Sequence, residues 1–64
     1  MCGDMNKILL SGEDYSVQRP DGKYVVSLVD NQRNYEVKLD NKLIYRHGAC
    51  WATYYEVCCI IGIN

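Results

Sequence analysis

The chain has no phenylalanine, a single proline and no excess of either charge. Seven Lys and Arg against eight Asp and Glu give a formal net charge of −1, so no basic surplus is available to displace counterions from a nucleic-acid backbone. Nucleic acid is therefore not the expected partner. With 48% hydrophobic and 23% charged residues, the 64-residue chain has a globular composition, and we expect a single domain over residues 1–64.

Long hydrophobic runs are also missing. The apolar runs, such as residues 8–10 and 57–61, are far shorter than the roughly 18 residues that span a bilayer. No basic n-region of a signal peptide is found at the start of the chain, so we expect a cytoplasmic protein with reduced thiols and no membrane contact. Met5 is a second candidate start, and residues 1–5 are interpreted as a flexible extension of the domain.

Turn residues divide the first half of the chain into short segments rich in β-forming residues. The clearest turn is Arg-Pro-Asp-Gly-Lys at 19–23. Pro20 suits the second position of a type I turn, and Gly22 can adopt the left-handed conformation that closes a bulged hairpin. Residues 15–18 and 24–29 are the strands that this turn connects.

Two further strands follow. Residues 35–39 alternate strictly between apolar and polar side chains, which predicts a strand with one buried face. Residues 43–46 form the next strand, after an Asp-Asn-Lys turn at 40–42. A three-residue bulged loop, with Asn41 or Lys42 left-handed, is favoured because it places the apolar side chains on one face. These side chains are Tyr35, Val37, Leu39, Leu43 and Tyr45, with Leu39 opposite Leu43 and Val37 opposite Tyr45. Residues 7–10 are interpreted as a short edge strand.

The C-terminal segment 47–64 contains the only Trp, the only His and three of the four Cys. We predict a helix from about Cys50 to Ile61, with Gly62 as its left-handed C′ residue. The helical periodicity indicates a buried stripe and an opposite face. The stripe comprises Trp51, Tyr55, Cys58 and Ile61, and the opposite face comprises Ala52, Thr53, Glu56 and Ile60.

These elements predict an α+β fold. It is a three- or four-stranded antiparallel β-meander with one C-terminal helix packed on one face. If residues 50–61 were a strand instead, the alternative would be a small all-β barrel.

The chemistry-bearing residues of the C-terminal segment do not form a recognisable reactive site. His47 and Cys50 have a suitable spacing for one zinc knuckle, but Cys58 and Cys59 are adjacent and point in different directions on a helix. Cys50 and Cys58 are two helical turns apart, beyond the reach of a disulfide. His47 with Cys50 is also the one local thiol–base pair, with no obvious residue to orient the imidazole. We therefore expect no enzyme activity, metal or cofactor.

An apolar sheet face is the expected contact surface. In the strand at 24–29, Tyr24, Val26 and Leu28 alternate with a second set that includes Val25 and Val29, and one helix cannot cover both faces. Large uncovered apolar patches usually mark contacts. The predicted partner-binding residues combine the sheet face, a basic fringe and the exposed helix face: Tyr24, Val26, Leu28, Arg19, Lys23, Arg46, Glu56 and Ile60.

The leading functional hypothesis is a small non-catalytic binding protein that occludes a surface of a larger protein. Its size and build resemble those of phage and mobile-element accessory proteins that inhibit a host enzyme or a defence system. One alternative is a single-stranded nucleic-acid-binding module, which requires Tyr24 or Tyr45 exposed beside Arg46 or Lys23. Another is a homodimer, formed through a sheet edge or sheet face, that binds a ligand at its interface.

Overall fold

The computed structural model describes residues 2–63 of the chain, with side chains from Asp4 onward. The elements in chain order are α1 (Cys2–Leu10), β1 (Tyr15–Arg19), β2 (Gly22–Val29), β3 (Asn34–Leu39), β4 (Lys42–Gly48) and α2 (Trp51–Ile61). The strands form one antiparallel sheet in the order β1-β2-β3-β4. The predicted meander with a C-terminal helix on one face is confirmed, and because the sheet is open, the barrel alternative is wrong.

Both helices cover the same face of the sheet. Cross-strand pairing places Val26 opposite Val37, and both are fully buried. Met5 from α1 and Val57 from α2 belong to the same core cluster. The other buried apolar residues of this cluster are Leu9, Tyr24, Tyr35, Cys58 and Ile61. The core therefore lies between one sheet face and two helices, while the second sheet face carries no helix in the part of the chain that is described.

Helix α1 is an element that the sequence did not predict. Residues 7–10, interpreted as an edge strand, are its last turn, and this prediction is wrong. Met5 and Leu9 lie about one helical turn apart, so the helix points both side chains at the sheet, and both are fully buried. Gly12, with φ of +92°, donates its N–H to the Leu9 carbonyl as the chain turns toward β1. Residues 2–5, considered above as a flexible extension, are helical, whereas Met1 lies outside the described residues.

The β1–β2 hairpin has the turn that the sequence predicts. Arg19 pairs with Gly22 across Pro20 and Asp21, and Gly22 has a φ of +143°. A Cβ atom at Gly22 would lie 2.6 Å from Asp40 Oδ2, so the two neighbouring hairpin tips require glycine here. The Lys23 N–H donates to Asp40 Oδ1 at 3.0 Å, which ties the tips together.

The β3–β4 hairpin differs from the expected one. Asp40 and Asn41 both have positive φ, 49° and 70°, and form a two-residue turn, so Leu39 pairs with Lys42 and not with Leu43. The extra residue is accommodated later, as a bulge in β4 opposite Val37 and Lys38. The bulge returns Tyr45 to its predicted place opposite Val37 on the buried face.

Candidate functional site

Helix α2 is rotated relative to the predicted orientation. Its buried residues are Thr53, Val57, Cys58 and Ile61. Trp51 and Tyr55, which the sequence placed in the core, are 77% and 60% exposed. The prediction of Cys58 and Ile61 as buried is confirmed, and that of Trp51 and Tyr55 is wrong.

Thr53 explains this rotation. Because Thr53 is polar, the sequence predicts that it faces outward. It is instead buried, and its hydroxyl donates to the Gly48 carbonyl oxygen at 2.7 Å. A buried hydroxyl with a backbone partner avoids the desolvation cost that would otherwise keep it at the surface. Once Thr53 faces the sheet, Val57 and Ile61 follow at intervals of four residues, and Trp51 turns outward.

Contacts along its length hold α2 in this position. The Tyr45 hydroxyl donates to Glu56 Oε2 at 3.0 Å. Gly62 is the predicted left-handed C-cap, with φ of 79°, and Ile63 N–H donates to the Cys58 carbonyl at 3.0 Å. The Arg19 guanidinium lies against Gly62, where its positive charge complements the negative end of the helix macrodipole.

A groove separates the N-terminal half of α2 from the C-terminal half of α1. We call it the interhelical groove; its volume is about 590 Å³. The sheet forms its floor, with Leu28 from β2 and Tyr35 from β3. Its full lining is Asn6, Leu10, Leu28, Gln32, Tyr35, Ala49, Cys50, Trp51, Tyr54 and Tyr55. Of these described lining residues, none is acidic or basic.

A chain of aromatic rings runs from the rim of the groove to its floor. Trp51 and Tyr55 meet edge to face, with centroids 6.0 Å apart and planes at 79°. Tyr55 contacts Tyr54 at 6.1 Å, and Tyr54 in turn contacts the buried Tyr35 at 6.4 Å. The two edge-to-face pairs, Trp51–Tyr55 and Tyr54–Tyr55, are each stabilised by about 0.5–1.5 kcal/mol beyond their buried area. The exposed rim is thus supported by a packed aromatic wall.

The end of the groove is closed by the loop between β2 and β3. Asp30, Asn31 and Gln32 are three consecutive residues with positive φ, between 54° and 66°. The Gln32 side chain donates from Nε2 to the Leu10 carbonyl at 3.2 Å. This bond joins the loop to the C-terminus of α1, so the loop and both helices define one end of the groove.

Cys50 lines the groove at the N-cap of α2. Its Sγ lies 3.1 Å from Thr53 Oγ1. The nearby backbone N–H groups of Thr53 and Ala52, in the first turn of α2, lower the pKa of this thiol below its usual range. An exposed thiol at a helix N-terminus is the environment in which cysteine is most reactive.

This cysteine nevertheless lacks a positioned base. His47 Nδ1 lies 3.3 Å from Thr53 Oγ1, so the Thr53 hydroxyl stands between the imidazole and the thiol. That hydroxyl donates its only proton to Gly48, at the shorter distance of 2.7 Å. Within residues 4–63, no three His, Cys, Asp or Glu side chains are grouped as metal ligands.

The predicted sheet-face contact residues lie mostly under the helices. Tyr24 and Val26 are buried, so they cannot belong to a surface as the protein stands. The face that was expected to be open is the covered one, because α1, which the sequence did not predict, packs on β1 and β2 beside α2. Leu28 is half-buried and lines the groove.

The other predicted contact residues are scattered. Arg19 and Lys23 are at the hairpin-tip end, Arg19 against the C-terminus of α2. Arg46 lies on the open sheet face, where its guanidinium contacts Asp30 at 2.7 Å and Glu36 at 3.7 Å. Two more lie on α2, namely Glu56, which is exposed and bonded to Tyr45, and Ile60, which is half-buried. The structure therefore does not bring these eight residues into one surface.

Sequence reasoning missed the three exposed apolar side chains at the groove, Leu10, Trp51 and Tyr55. A signal for them was present in the spacing of Thr53, Val57 and Ile61, which marks the buried line of α2 and leaves Trp51 off it. The size and hydrophobicity of Trp51 and Tyr55 instead predict burial.

No protein-family model, curated protein or solved structure matches this chain. None of the described helices has the length and apolar character needed to cross a membrane. Function is therefore inferred from the residues of the groove and their surroundings.

Proposed function

We propose that this protein is a small non-catalytic binding protein that occludes a surface of a larger protein, with the interhelical groove as its contact surface. The observation that carries this proposal is the 77% exposure of Trp51 beside the exposed Tyr55. Trp and Tyr are the residue types most enriched among those that dominate binding energy at protein interfaces. Trp51 and Tyr55 pack edge to face, and Tyr55 also contacts Tyr54, so part of the side-chain freedom that binding removes is already restricted.

The groove offers a partner an apolar pocket with two walls. Leu10 on α1 is 56% exposed and faces the aromatic wall of α2 across the Leu28 floor. An apolar side chain of the partner that enters here loses contact with water on several sides. The uncharged lining favours a neutral protein surface over a highly charged polymer such as nucleic acid.

The arrangement around Cys50 supports a non-catalytic role. Nucleophilic catalysis by a thiol requires a base within hydrogen-bond reach that can take its proton. Thr53 lies between Cys50 and His47, and it donates its proton to a backbone carbonyl. The groove is also open to solvent, so it does not exclude water from a reaction, whereas an enclosed site does.

Single-stranded nucleic-acid binding has less support. It requires Tyr24 or Tyr45 exposed beside Arg46 or Lys23. Tyr24 is buried, and Tyr45 is half-buried with its hydroxyl bonded to Glu56. Arg46 is on the opposite face of the sheet from both tyrosines and is engaged in ion pairs.

Affinity capture with mass spectrometry tests the proposed function. The tagged chain, incubated with a lysate of the cells that encode it, should retain one protein in stoichiometric amount. Trp51→Ala should lose that protein, whereas Leu43→Ala should retain it, because Leu43 is an exposed apolar residue of β4 away from the groove.

Two outcomes would count against this function. One is a wild-type chain that retains no stoichiometric protein. The other is equal capture by the Trp51→Ala variant. Tight binding of short oligonucleotides with a steep salt dependence would instead support the nucleic-acid alternative.

A further inference from the structure

We propose that, in the free protein, the interhelical groove is covered by a second copy of the chain in a two-fold symmetric dimer. Trp51 of each protomer enters the groove of the other. The dimer covers the site of the proposed function, so a larger partner must displace the second copy before it can bind. This regulatory role rests on the proposed function. Dimerisation itself follows from the shape, charge and area of the groove.

The surface has the two parts that a two-fold interface requires. A two-fold interface brings the same patch of both protomers together, so the patch must contain both a projection and a recess. Trp51 is the most exposed large apolar side chain of the described residues, and it stands at the edge of the groove that it lines. The same surface therefore provides both the projection, which is Trp51, and the recess, which is the interhelical groove.

The charge of the surface also permits self-association. Two identical charged patches would repel each other when they met across a symmetry axis. The described residues that line the groove include no Asp, Glu, Lys, Arg or His, and the side chains of Asn6 and Gln32 are neutral amides. A second copy therefore meets this patch without like-charge repulsion.

The exposed apolar side chains supply a large part of the area that a specific interface buries. Trp51, Tyr55 and Leu10 are 77%, 60% and 56% exposed. Large side chains bury roughly 150–250 Å² each, so covering these three on both protomers removes on the order of 800 Å². The other lining residues add to this sum, which corresponds to a weakly associating dimer, below the roughly 1,200–2,000 Å² of stable interfaces.

Small size gives dimerisation a further benefit. A chain of 64 residues has a single small core, and oligomerisation is one of the ways in which domains of this size gain stability. A second copy would bury the exposed apolar side chains at the groove and so enlarge the buried apolar surface.

Sedimentation equilibrium over micromolar to millimolar concentrations tests the dimer directly. The wild-type chain should show twice its mass of 7.4 kDa. Trp51→Ala should raise the dimer dissociation constant by at least about 100-fold, because an interface Trp is lost from both protomers. Leu43→Ala, the matched control, should leave the constant unchanged. A monomeric wild type, a dimer that persists in Trp51→Ala, or one lost in Leu43→Ala contradicts the proposal.

Cross-linking gives a second measurement in which Trp51 is intact. Cys50 lines the groove, whereas Cys59 is exposed on α2 and is not part of the lining. Two variants each keep one of these thiols, C2S/C59S and C2S/C50S. A short bismaleimide should link the protomers through Cys50 and not through Cys59. Linking through Cys59 in preference, or through neither thiol, overturns the proposal.

The two proposals fail separately. A monomeric wild type that captures a larger protein through Trp51 removes the dimer alone. A dimer that captures no larger protein removes the proposed function alone.

Discussion

The hydroxyl of Tyr45 donates a hydrogen bond to the carboxylate of Glu56, with 3.0 Å between the oxygens, and so joins the edge strand β4 to helix α2. The bond requires a protonated phenol. Burial, and then the bond to Glu56, raise the pKa of Tyr45. The stability of the protein should therefore depend on pH in the alkaline range.

The direction of this dependence follows from linkage. A phenol whose folded-state pKa is raised contributes stability that is fully present below about pH 10, its unfolded pKa, and is lost as the pH rises through the folded value. Tyr24 acts in the same direction, because its bond to Asp21 raises its pKa. Urea unfolding of the wild type should show a falling midpoint above about pH 10, and Tyr45→Phe with Tyr24→Phe should fall less. Parallel curves for the wild type and the double variant would show that these phenols do not cause the loss.

The Cys50 thiol should be alkylated by iodoacetamide faster than that of Cys59 at neutral pH, because the backbone N–H groups of Thr53 and Ala52 lower the pKa of Cys50. Thr53→Ser keeps these backbone groups and should keep the Cys50 rate. Peptide mass spectrometry gives the rates at both sites from one sample, so Cys59 is an internal control. Equal rates at the two sites would show that the start of α2 does not activate Cys50.

Gly22→Ala should destabilise the protein by about 2–4 kcal/mol. The new Cβ atom would lie 2.6 Å from Asp40 Oδ2 and 2.8 Å from Leu39 Cδ1, at a φ of +143° that alanine rarely adopts. The matched control is Gly48→Ala, where no atom lies within 4 Å of the added Cβ, and its effect should be within about 0.5 kcal/mol. The free energy of unfolding in urea measures both, and similar losses would indicate that the contact between the hairpin tips is not essential.

Met5→Ala should cost about 2–4 kcal/mol, because Met5 is fully buried between α1 and the sheet. Its neighbour Asn6 is exposed, and Asn6→Ala should change the free energy of unfolding by less than about 0.5 kcal/mol. Denaturant unfolding compares the two substitutions directly. If Met5→Ala were as mild as Asn6→Ala, α1 would contribute little to the fold, as expected of an extension.

The sequence predicted the strands well because their turns carry conformational information. Pro20 and Gly22 mark the first hairpin, and strict alternation marks β3. In the second hairpin, the position of Tyr45 opposite Val37 was predicted correctly, but the type of turn was not. The reason is physical: a two-residue turn followed by a bulge in β4 and a three-residue bulged loop both place Tyr45 on the same face of the sheet.

Helices were harder to predict from the same information. Ile8, Leu9 and Leu10 form an apolar run too short to distinguish strand from helix by periodicity, and the buried partner of Leu9 is Met5, outside the run. In α2, hydrophobic residues occur on nearly every side, so the buried face depends on tertiary contacts. The bond from Thr53 to Gly48 is one such contact. The groove could not be predicted from the sequence, because both of its walls depend on these two helices.

The bulge in β4 also affects how this protein meets other chains. An edge strand offers unpaired N–H and C=O groups that can template the addition of a foreign strand, the first step of ordered aggregation. Here the extra residue falls within β4, near the exposed Leu43 and Ile44. A bulge increases the local twist and disturbs the regular repeat that an incoming strand needs. The sheet's most apolar exposed edge is therefore a poor template for aggregation.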